Sequence, residues 1–213
     1  MKVIDFTQFI SEDMPVYPGT EGPKLQPANT YEKDGFKETL MTMYSHTGTH
    51  MDPPAHLFAH RPTLDKLPIE QFVGAGLVID CTDLGEGGVV DFSYIEKVRD
   101  KADKAEFLLF RFGWDKYWGK QEYFGEYPVI NDDVSSYLID TKKKGVGLDA
   151  IGIDPISDSN LTTHRKLFIN NDIVVIENLT RLGEAGQDLF TFIALPLKHV
   201  DADGSPIRAI GLL

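Results

Sequence analysis

Residues 46–56 of the chain read His46-Thr-Gly-Thr-His50-Met-Asp52-Pro-Pro-Ala-His56, which places three histidines and a carboxylate within eleven residues. Neutral imidazole and carboxylate groups together suit Zn²⁺, Mn²⁺ or Fe²⁺. Three protein ligands with an open position are typical of a catalytic metal site. The stretch therefore predicts a metal site at His46, His50 and Asp52, with His56 beside it as a candidate catalytic base.

The backbone of this stretch is expected to be a strand end followed by a turn. The spacing of four between His46 and His50 would put both on one face of a helix, as in H-E-x-x-H proteases. Gly48 and the pair Pro53-Pro54 disfavour a helix, however. The prolines should instead stiffen the chain, so that His56 is held at a fixed distance from the ligands.

The same stretch resembles the H-x-G-T-H-x-D-x-P-x-H signature of the cyclase family of metal-dependent hydrolases, which includes bacterial kynurenine formamidases and isatin hydrolases. Residues 11–19 are similar to the family's N-terminal substrate-side loop, and residues 151–158 resemble its later strand and loop. His164 and residues 176–179 are similar to its second metal-binding segment. The resemblance therefore extends along nearly the whole chain.

The resemblance implies two divalent ions per chain, zinc with manganese as the alternative. His46 and His50 would bind one ion and His164 the other, with Asp52 and Glu177 bridging the pair. Glu177 follows a run of apolar residues, where a buried carboxylate needs a partner such as a metal. From its own pattern, it could equally be a strand-end residue in solvent, since charged residues are mostly exposed.

The resemblance makes His56 the general acid/base. An imidazole with a pKa of about 6.5 can take a proton from water and return it to a leaving nitrogen near neutral pH. The predicted reaction is hydrolysis of a small amide C–N bond by metal-activated water. The substrate would be an aryl formamide such as N-formylkynurenine, or a lactam or other cyclic amide.

Tyr17 is the predicted substrate-binding residue. Kynurenine formamidases of the family carry a tryptophan in this loop, against which the substrate ring packs, and Tyr17 aligns with it. A tyrosine could still stack on an aromatic substrate, but the change makes other small amides equally good candidates. The aromatic residues of 110–118 are a second candidate for pocket lining, with ordinary packing as the alternative.

Two other classes of function compete with a hydrolase. His46, His50 and Asp52 could hold Fe²⁺ as the two-His-one-carboxylate triad of an oxygenase. That assignment leaves His56 and the second metal-binding segment without roles, and it predicts dioxygen consumption. A non-catalytic metal-binding module would have a closed site and would lose its fold when metal is removed.

Composition indicates one domain spanning residues 1–213, because the length and the 42% hydrophobic content suffice for a single core. A net charge of −12 argues against nucleic acid and anionic membranes as partners. The N-terminus resembles no export signal, and the longest apolar runs are too short to span a membrane. Cys81 is the only cysteine, so we expect a reducing, cytoplasmic setting.

Hydrophobic patterning predicts a mixture of strands and helices. The expected strands are 2–5, 38–44, 76–80, 107–111, 150–153, 173–177, 189–195 and 206–211. The expected helices are 93–101, 131–144 and 161–169, with the basic run 142–144 as a solvated helix end and 15–27 as a loop near the site. The pattern alone gives an α/β or α+β protein. The resemblance implies a swivelling β/β/α domain with a mixed barrel-like sheet, helices outside it, and a homodimer or homotetramer.

Overall fold

The structure is a computed structural model that describes all 213 residues. Its strands are β1 (Val3–Asp5), β2 (Lys24–Asn29), β3 (Glu38–Thr42), β4 (His50–Asp52), β5 (Val73–Asp80), β6 (Val89–Val90), β7 (Phe107–Arg111), β8 (Val129–Ile130), β9 (Gly145–Leu148), β10 (Val174–Glu177), β11 (Phe190–Pro196) and β12 (Ser205–Leu212). Its helices are α1 (Tyr31–Asp34), α2 (Ser93–Glu96), α3 (Arg99–Ala102), α4 (Asp132–Asp140) and α5 (Thr162–Phe168). No helix has the length and apolar character needed to cross a membrane.

Seven strands close into a barrel in the order β12, β11, β5, β7, β9, β10 and β4, with β4 pairing back to β12. The strands β5, β7, β9 and β10 run parallel to one another. The remaining neighbours are antiparallel, and β1 continues the sheet beside the end of β12. The predicted mixed, barrel-like sheet is therefore confirmed.

The barrel wall separates two apolar layers, because successive side chains of a strand point to opposite faces. In β7, Phe107 and Leu109 belong to the cluster inside the barrel, whereas Leu108 and Phe110 belong to the cluster outside it. The inner layer also includes Met51 of β4 and Ile176 of β10. The neighbours of these two residues along the chain consequently face outward.

Helices α4 and α5 cover part of the outer face. Asn131 caps α4 by accepting a hydrogen bond from the backbone N–H of Val134 at 3.0 Å. Leu138 of α4 and Phe168 of α5 are fully buried in the outer cluster. The prediction of helices outside the sheet is confirmed, and α5 falls within the predicted 161–169.

Four predicted elements differ from the structure. The helix expected at 131–144 ends at Asp140. The strand expected at 150–153 lies earlier, at β9, where a Cβ on Gly147 would come within 2.7 Å of the side chains of Leu109 and Leu179. The helix expected at 93–101 is divided into α2 and α3, because Val98 leaves the helical conformation. The expected loop 15–27 contains the first four residues of β2, which pairs with β3 as a separate two-stranded arm.

Lys143 corrects the expectation of a solvated basic run. The residue is only 4% exposed, and its Nζ donates hydrogen bonds to the backbone carbonyls of Ala102 at 2.5 Å and Ala105 at 2.7 Å. These carbonyls lie at the end of α3, where a cation complements the helix dipole. Lys143 thus joins α3 to the segment before β9.

Candidate active site

Two neighbouring strands supply the acidic wall of the site. Met51 points into the barrel, so His50 and Asp52 on either side of it face outward. Glu177, the last residue of β10, pairs directly with His50 in the antiparallel register. The register therefore brings His50 Nε2 to 3.3 Å from Asp52 Oδ1 and 3.5 Å from Glu177 Oε2.

His164 reaches this wall from α5. Its Nε2 lies 3.4 Å from Asp52 Oδ2 and 3.5 Å from Glu177 Oε1. Its Nδ1 lies 2.6 Å from Asp154 Oδ2. The Asp154 carboxylate also accepts hydrogen bonds from the backbone N–H groups of Thr163 and His164. One carboxylate thus orients both the start of α5 and the imidazole ring.

The loop before β4 and the turn after it supply the other two histidines. His46 Nδ1 lies 2.6 Å from Asp52 Oδ1. The ring packs against Gly204, where a Cβ would come within 2.5 Å of His46 Nε2. The His56 ring, in the short turn Pro54–His56, lies 4.1 Å from the His46 ring and 6.1 Å from the His164 ring. The strand-and-turn placement expected from Gly48 and the prolines is therefore what the structure has.

The cluster fits divalent metal ions. Three sets of three side chains have ligand atoms within 4.8 Å of one another. The third set, His46, His56 and Asp203, has no buried member, whereas two sets are wholly or mostly buried: His46, His50 and Asp52, and Asp52, His164 and Glu177. His164 Nε2 is buried and has no hydrogen-bond partner in the chain, which is costly for a polar atom unless something binds it. Nitrogen and carboxylate donors suit zinc and manganese, and Asp52 belongs to both sets.

Protonation of the histidines balances the buried carboxylates in the metal-free chain. Burial alone would lower the pKa of His50, but the charges of Asp52 and Glu177 raise it to about 9. Against the same effect of burial, the hydrogen bond to Asp154 and the negative charges of Asp52 and Glu177 raise the pKa of His164 to about 10. Burial and the charge of Asp52 raise the pKa of Glu177 to about 7. A metal ion can replace those protons as the counter-charge.

His56 has the opposite electrostatics. Burial is the main reason that its pKa falls to about 4; the charge of Asp52 opposes this fall, and the charges of His46 and His164 reinforce it. The ring is therefore neutral at pH 7 and able to accept a proton. It lines the same cavity as the metal-ligand candidates.

That cavity has a volume of about 700 Å³. Tyr17 lines it and keeps 41% of its surface exposed. All seven predicted site residues meet here: Tyr17, His46, His50, Asp52, His56, His164 and Glu177. The aromatic residues of 110–118 do not line the cavity; Phe110, Phe112 and Trp114 are buried in the outer apolar cluster, so their packing interpretation is the correct one.

Several residues that shape the site were not identified from the sequence. Asp154 lies ten positions before His164, within a segment quoted only for its resemblance. Asp203 and Gly204 reach His46 from the loop between β11 and β12. Asn178 donates a hydrogen bond to the carbonyl of Gly48 at 2.9 Å. Only Asp154 had a local signal, as a carboxylate shortly before a predicted helix.

Comparison with known proteins agrees with the fold and the cluster. The family model Cyclase, described as "Putative cyclase", matches residues 4–155. A kynurenine formamidase of Bacillus cereus is 30% identical over 209 residues, covering 97% of this chain and 95% of that protein. An isatin hydrolase structure bound to the product analogue thioisatinate has a TM-score of 0.88 at 23% identity, covering 100% of this chain and 92% of that one.

A second solved structure, of a potential metal-dependent hydrolase with cyclase activity, has a TM-score of 0.80 at 29% identity. It covers 99% of this chain and 96% of that one. The family match spans well over half of the chain, and the cluster of histidines and carboxylates agrees with the family's metal dependence. The chain thus belongs to the cyclase family of metal-dependent hydrolases.

Proposed function

We propose that the chain is a metal-dependent amide hydrolase that cleaves the C–N bond of an aryl formamide, such as N-formylkynurenine, or of a cyclic amide. One observation carries the proposal: Asp52 is shared by two adjacent ligand sets that open into a cavity. Shared carboxylates are the usual bridges of two-metal hydrolytic sites. The similarity to kynurenine formamidase supports the same reaction class.

The metal ions are proposed to be two zinc ions, with manganese as the alternative. His46 and His50 would hold one, His164 the other, and Asp52 and Glu177 would bridge them. When bound, such ions lower the pKa of water to about 7 and polarise a carbonyl oxygen. Asp154 would keep His164 Nδ1 protonated, so that Nε2 is the nitrogen available to the metal.

His56 is proposed to move the proton. Its neutral ring can accept a proton from the attacking water and deliver it to the departing nitrogen. The His56 ring lies 4.1 Å from the His46 ring, and His46 Nδ1 lies 2.6 Å from Asp52 Oδ1, so the proposed acid/base group is close to the proposed metal ligands. Tyr17, which lines the same cavity, would pack on the substrate.

A lactam hydrolase resembling isatin hydrolase is the second candidate, and the similarity of fold supports it. An Fe²⁺ oxygenase fits less well, because the set formed by Asp52, His164 and Glu177 would have no role in it. A closed metal-binding module fits less well also, because the ligand candidates line an open cavity.

Metal analysis and activity measurement test the proposal together. Protein purified without chelator should contain about two zinc or manganese ions per chain and hydrolyse N-formylkynurenine or isatin. Two ions without turnover of either compound would retain the metal site and require other amides. Absence of metal, or unchanged activity after metal removal, would overturn the mechanism.

We also propose that residues 1–213 act as one domain in the cytoplasm and assemble as a homodimer or homotetramer. Strands β1 and β12 pair, so both ends of the chain belong to one sheet. Every residue of β3 is exposed, including Leu40 and Met41. Sedimentation of the wild type and of Leu40→Glu tests assembly, because a charge on the arm formed by β2 and β3 should dissociate the oligomer. Val200→Glu, on an exposed loop elsewhere, is the control and should leave the oligomer intact.

A further inference from the structure

The cavity wall has carboxylates and histidines as its only ionisable side chains apart from two tyrosines. Five carboxylates line it: Asp52, Asp154, Asp158, Glu177 and Asp203. No lysine or arginine is among the 24 residues that form the wall. The four histidines of the wall are the three proposed metal ligands and the neutral His56. With metal bound, an anionic group on a ligand would therefore find no cationic side chain in this wall to pair with, apart from the metal centre itself.

The metal centre does not reverse this sign. Two divalent ions would supply four positive charges against the five carboxylates, so the cavity remains net negative before any hydroxide is counted. The positive charge would also be concentrated where the scissile carbonyl lies. The remainder of the cavity, which would contact the rest of the substrate, keeps the carboxylates of Asp158 and Asp203.

Asp203 is the carboxylate most free to act on a ligand. Its side chain is 54% exposed, and its Oδ2 is within 3.3 Å of Ser45 Oγ and 3.4 Å of His46 Nε2. Asp158, by contrast, accepts hydrogen bonds from the backbone N–H groups of Asn160 and Thr162. Neither carboxylate forms an ion pair with a lysine or an arginine.

The pKa of the Tyr17 hydroxyl is raised in part by the same negative charges. Burial raises the pKa of Tyr17, and the charges of Glu177, Asp154 and Asp158 raise it further. These carboxylates act on the residue that is proposed to pack on the substrate. A ligand group placed against Tyr17 would experience a field of the same sign.

From this arrangement we propose that the site selects amides whose flanking substituent is uncharged or cationic and rejects amides with an anionic substituent. The inference rests on the proposed hydrolase function and narrows its substrate class. N-formylkynurenine, which carries both an ammonium and a carboxylate, would then be a poorer substrate than its relatives that lack the carboxylate. Neutral aryl formamides, cationic aryl formamides and neutral lactams are the favoured classes.

Three formanilides with one common ring test the proposal. Each carries an ortho ketone, with a side chain that ends in a methyl group, an ammonium or a carboxylate. The kcat/KM of the cationic compound should exceed that of the anionic one by about tenfold at low salt, with the neutral compound between them. About 0.5 M salt should reduce the difference, because exposed charges are screened.

Asp203→Asn should reduce the ratio of kcat/KM between the cationic and the anionic compound by about threefold, the scale of one exposed charge pair. Asp201→Asn is the matched control, because it removes the same charge from an exposed residue outside the cavity wall. Its φ of 54° is one that asparagine tolerates. A preference that shifts equally in both variants would show a general charge effect and overturn the role of Asp203.

Equal kcat/KM for the three compounds would overturn the proposal. A higher kcat/KM for the anionic compound would also overturn it, and would mean that a basic group from outside this wall reaches the site. If none of the three is cleaved, the proposed function fails on these formamides. The charge preference is then measured by calorimetry with the three product anilines. Equal affinity of the cationic and anionic anilines would contradict it independently.

Discussion

Asp154 and His164 are joined twice. The Asp154 carboxylate accepts a hydrogen bond from the backbone N–H of His164 at 3.1 Å, and the same oxygen lies 2.6 Å from His164 Nδ1. A single carboxylate therefore fixes both the position of the residue and the rotation of its ring. Because Nδ1 is engaged, Nε2 is left to face Asp52 and Glu177.

Asp154→Asn should weaken metal binding by about 10- to 100-fold, the usual effect of removing a carboxylate behind a histidine ligand. The amide can present its NH₂ to Nδ1, which would favour the tautomer with a proton on Nε2. Competition with a chromogenic chelator measures the affinity. Asp158→Asn is the control, because Asp158 caps the neighbouring backbone without touching His164. Unchanged affinity in Asp154→Asn would exclude the positioning role.

His56→Ala should retain metal and lose about 100-fold or more in kcat, the typical contribution of a general acid/base. The neutral ring at pH 7 makes the residue a proton acceptor in place of a counter-ion to the carboxylates. His60→Ala, in the exposed loop that follows, should leave both quantities unchanged. Loss of metal in His56→Ala would instead identify His56 as a ligand.

Gly204→Ala should disturb the ion held by His46. The added methyl group would come within 2.5 Å of His46 Nε2, so the ring must move away from Asp52. We expect metal content to fall from about two ions per chain toward one, with a smaller change in thermal unfolding. Gly85→Ala, where nothing lies within 4 Å of the new Cβ, is the control. Full metal content in Gly204→Ala would show that the ring adapts at no cost.

Metal-free protein should lose stability as the pH rises from about 7 to 10. The folded-state pKa values of His50, about 9, and His164, about 10, lie above the unfolded value of about 6.5. The folded chain therefore binds more protons in this window, and the free energy of unfolding falls as pH rises through it. Below pH 6.5 the contribution is fully present. Urea unfolding at several pH values measures it, and a flat profile would contradict it.

Bound metal should remove much of this alkaline loss, since the ion takes over the role of the protons. The same urea experiment on metal-loaded protein is the comparison. His50→Gln provides a second check, because it deletes one of the two titrating groups and should reduce the slope of the profile.

Much of the barrel could be predicted because its strands carry strong local patterns. The boundaries of β7 were predicted correctly at 107–111, since every residue of this strand except Arg111 is buried and the run is apolar. Strand β9 was missed because Gly145 and Gly147 leave no hydrophobic pattern to read. They are required by close packing with residues from other strands, which the local sequence does not reveal.

The residues of the site likewise separate into those that the local sequence predicts and those that only the fold brings together. The motif at 46–56 predicted its own cluster, since the chemistry of the side chains and the rigidity of the prolines are local properties. The contributions of Asp154, Asp203 and Gly204 depend on which loops the fold brings to His164 and His46. Likewise, the local sequence predicted that Lys143 lies at a solvated helix end. Its burial is explained only by the backbone carbonyls at and just after the end of α3, to which its Nζ donates hydrogen bonds.

The pairing of His50 with Glu177 gives the proposed metal site a further property. A shift of β4 against β10 by one residue would turn the ligand side chains into the apolar interior and bring Met51 out. The carboxylate and imidazole groups therefore converge only after distant parts of the chain have paired in the native register. Uptake of metal at the proposed site would thus require the native register of β4 against β10, so metal content would distinguish a correctly assembled barrel from a misregistered one.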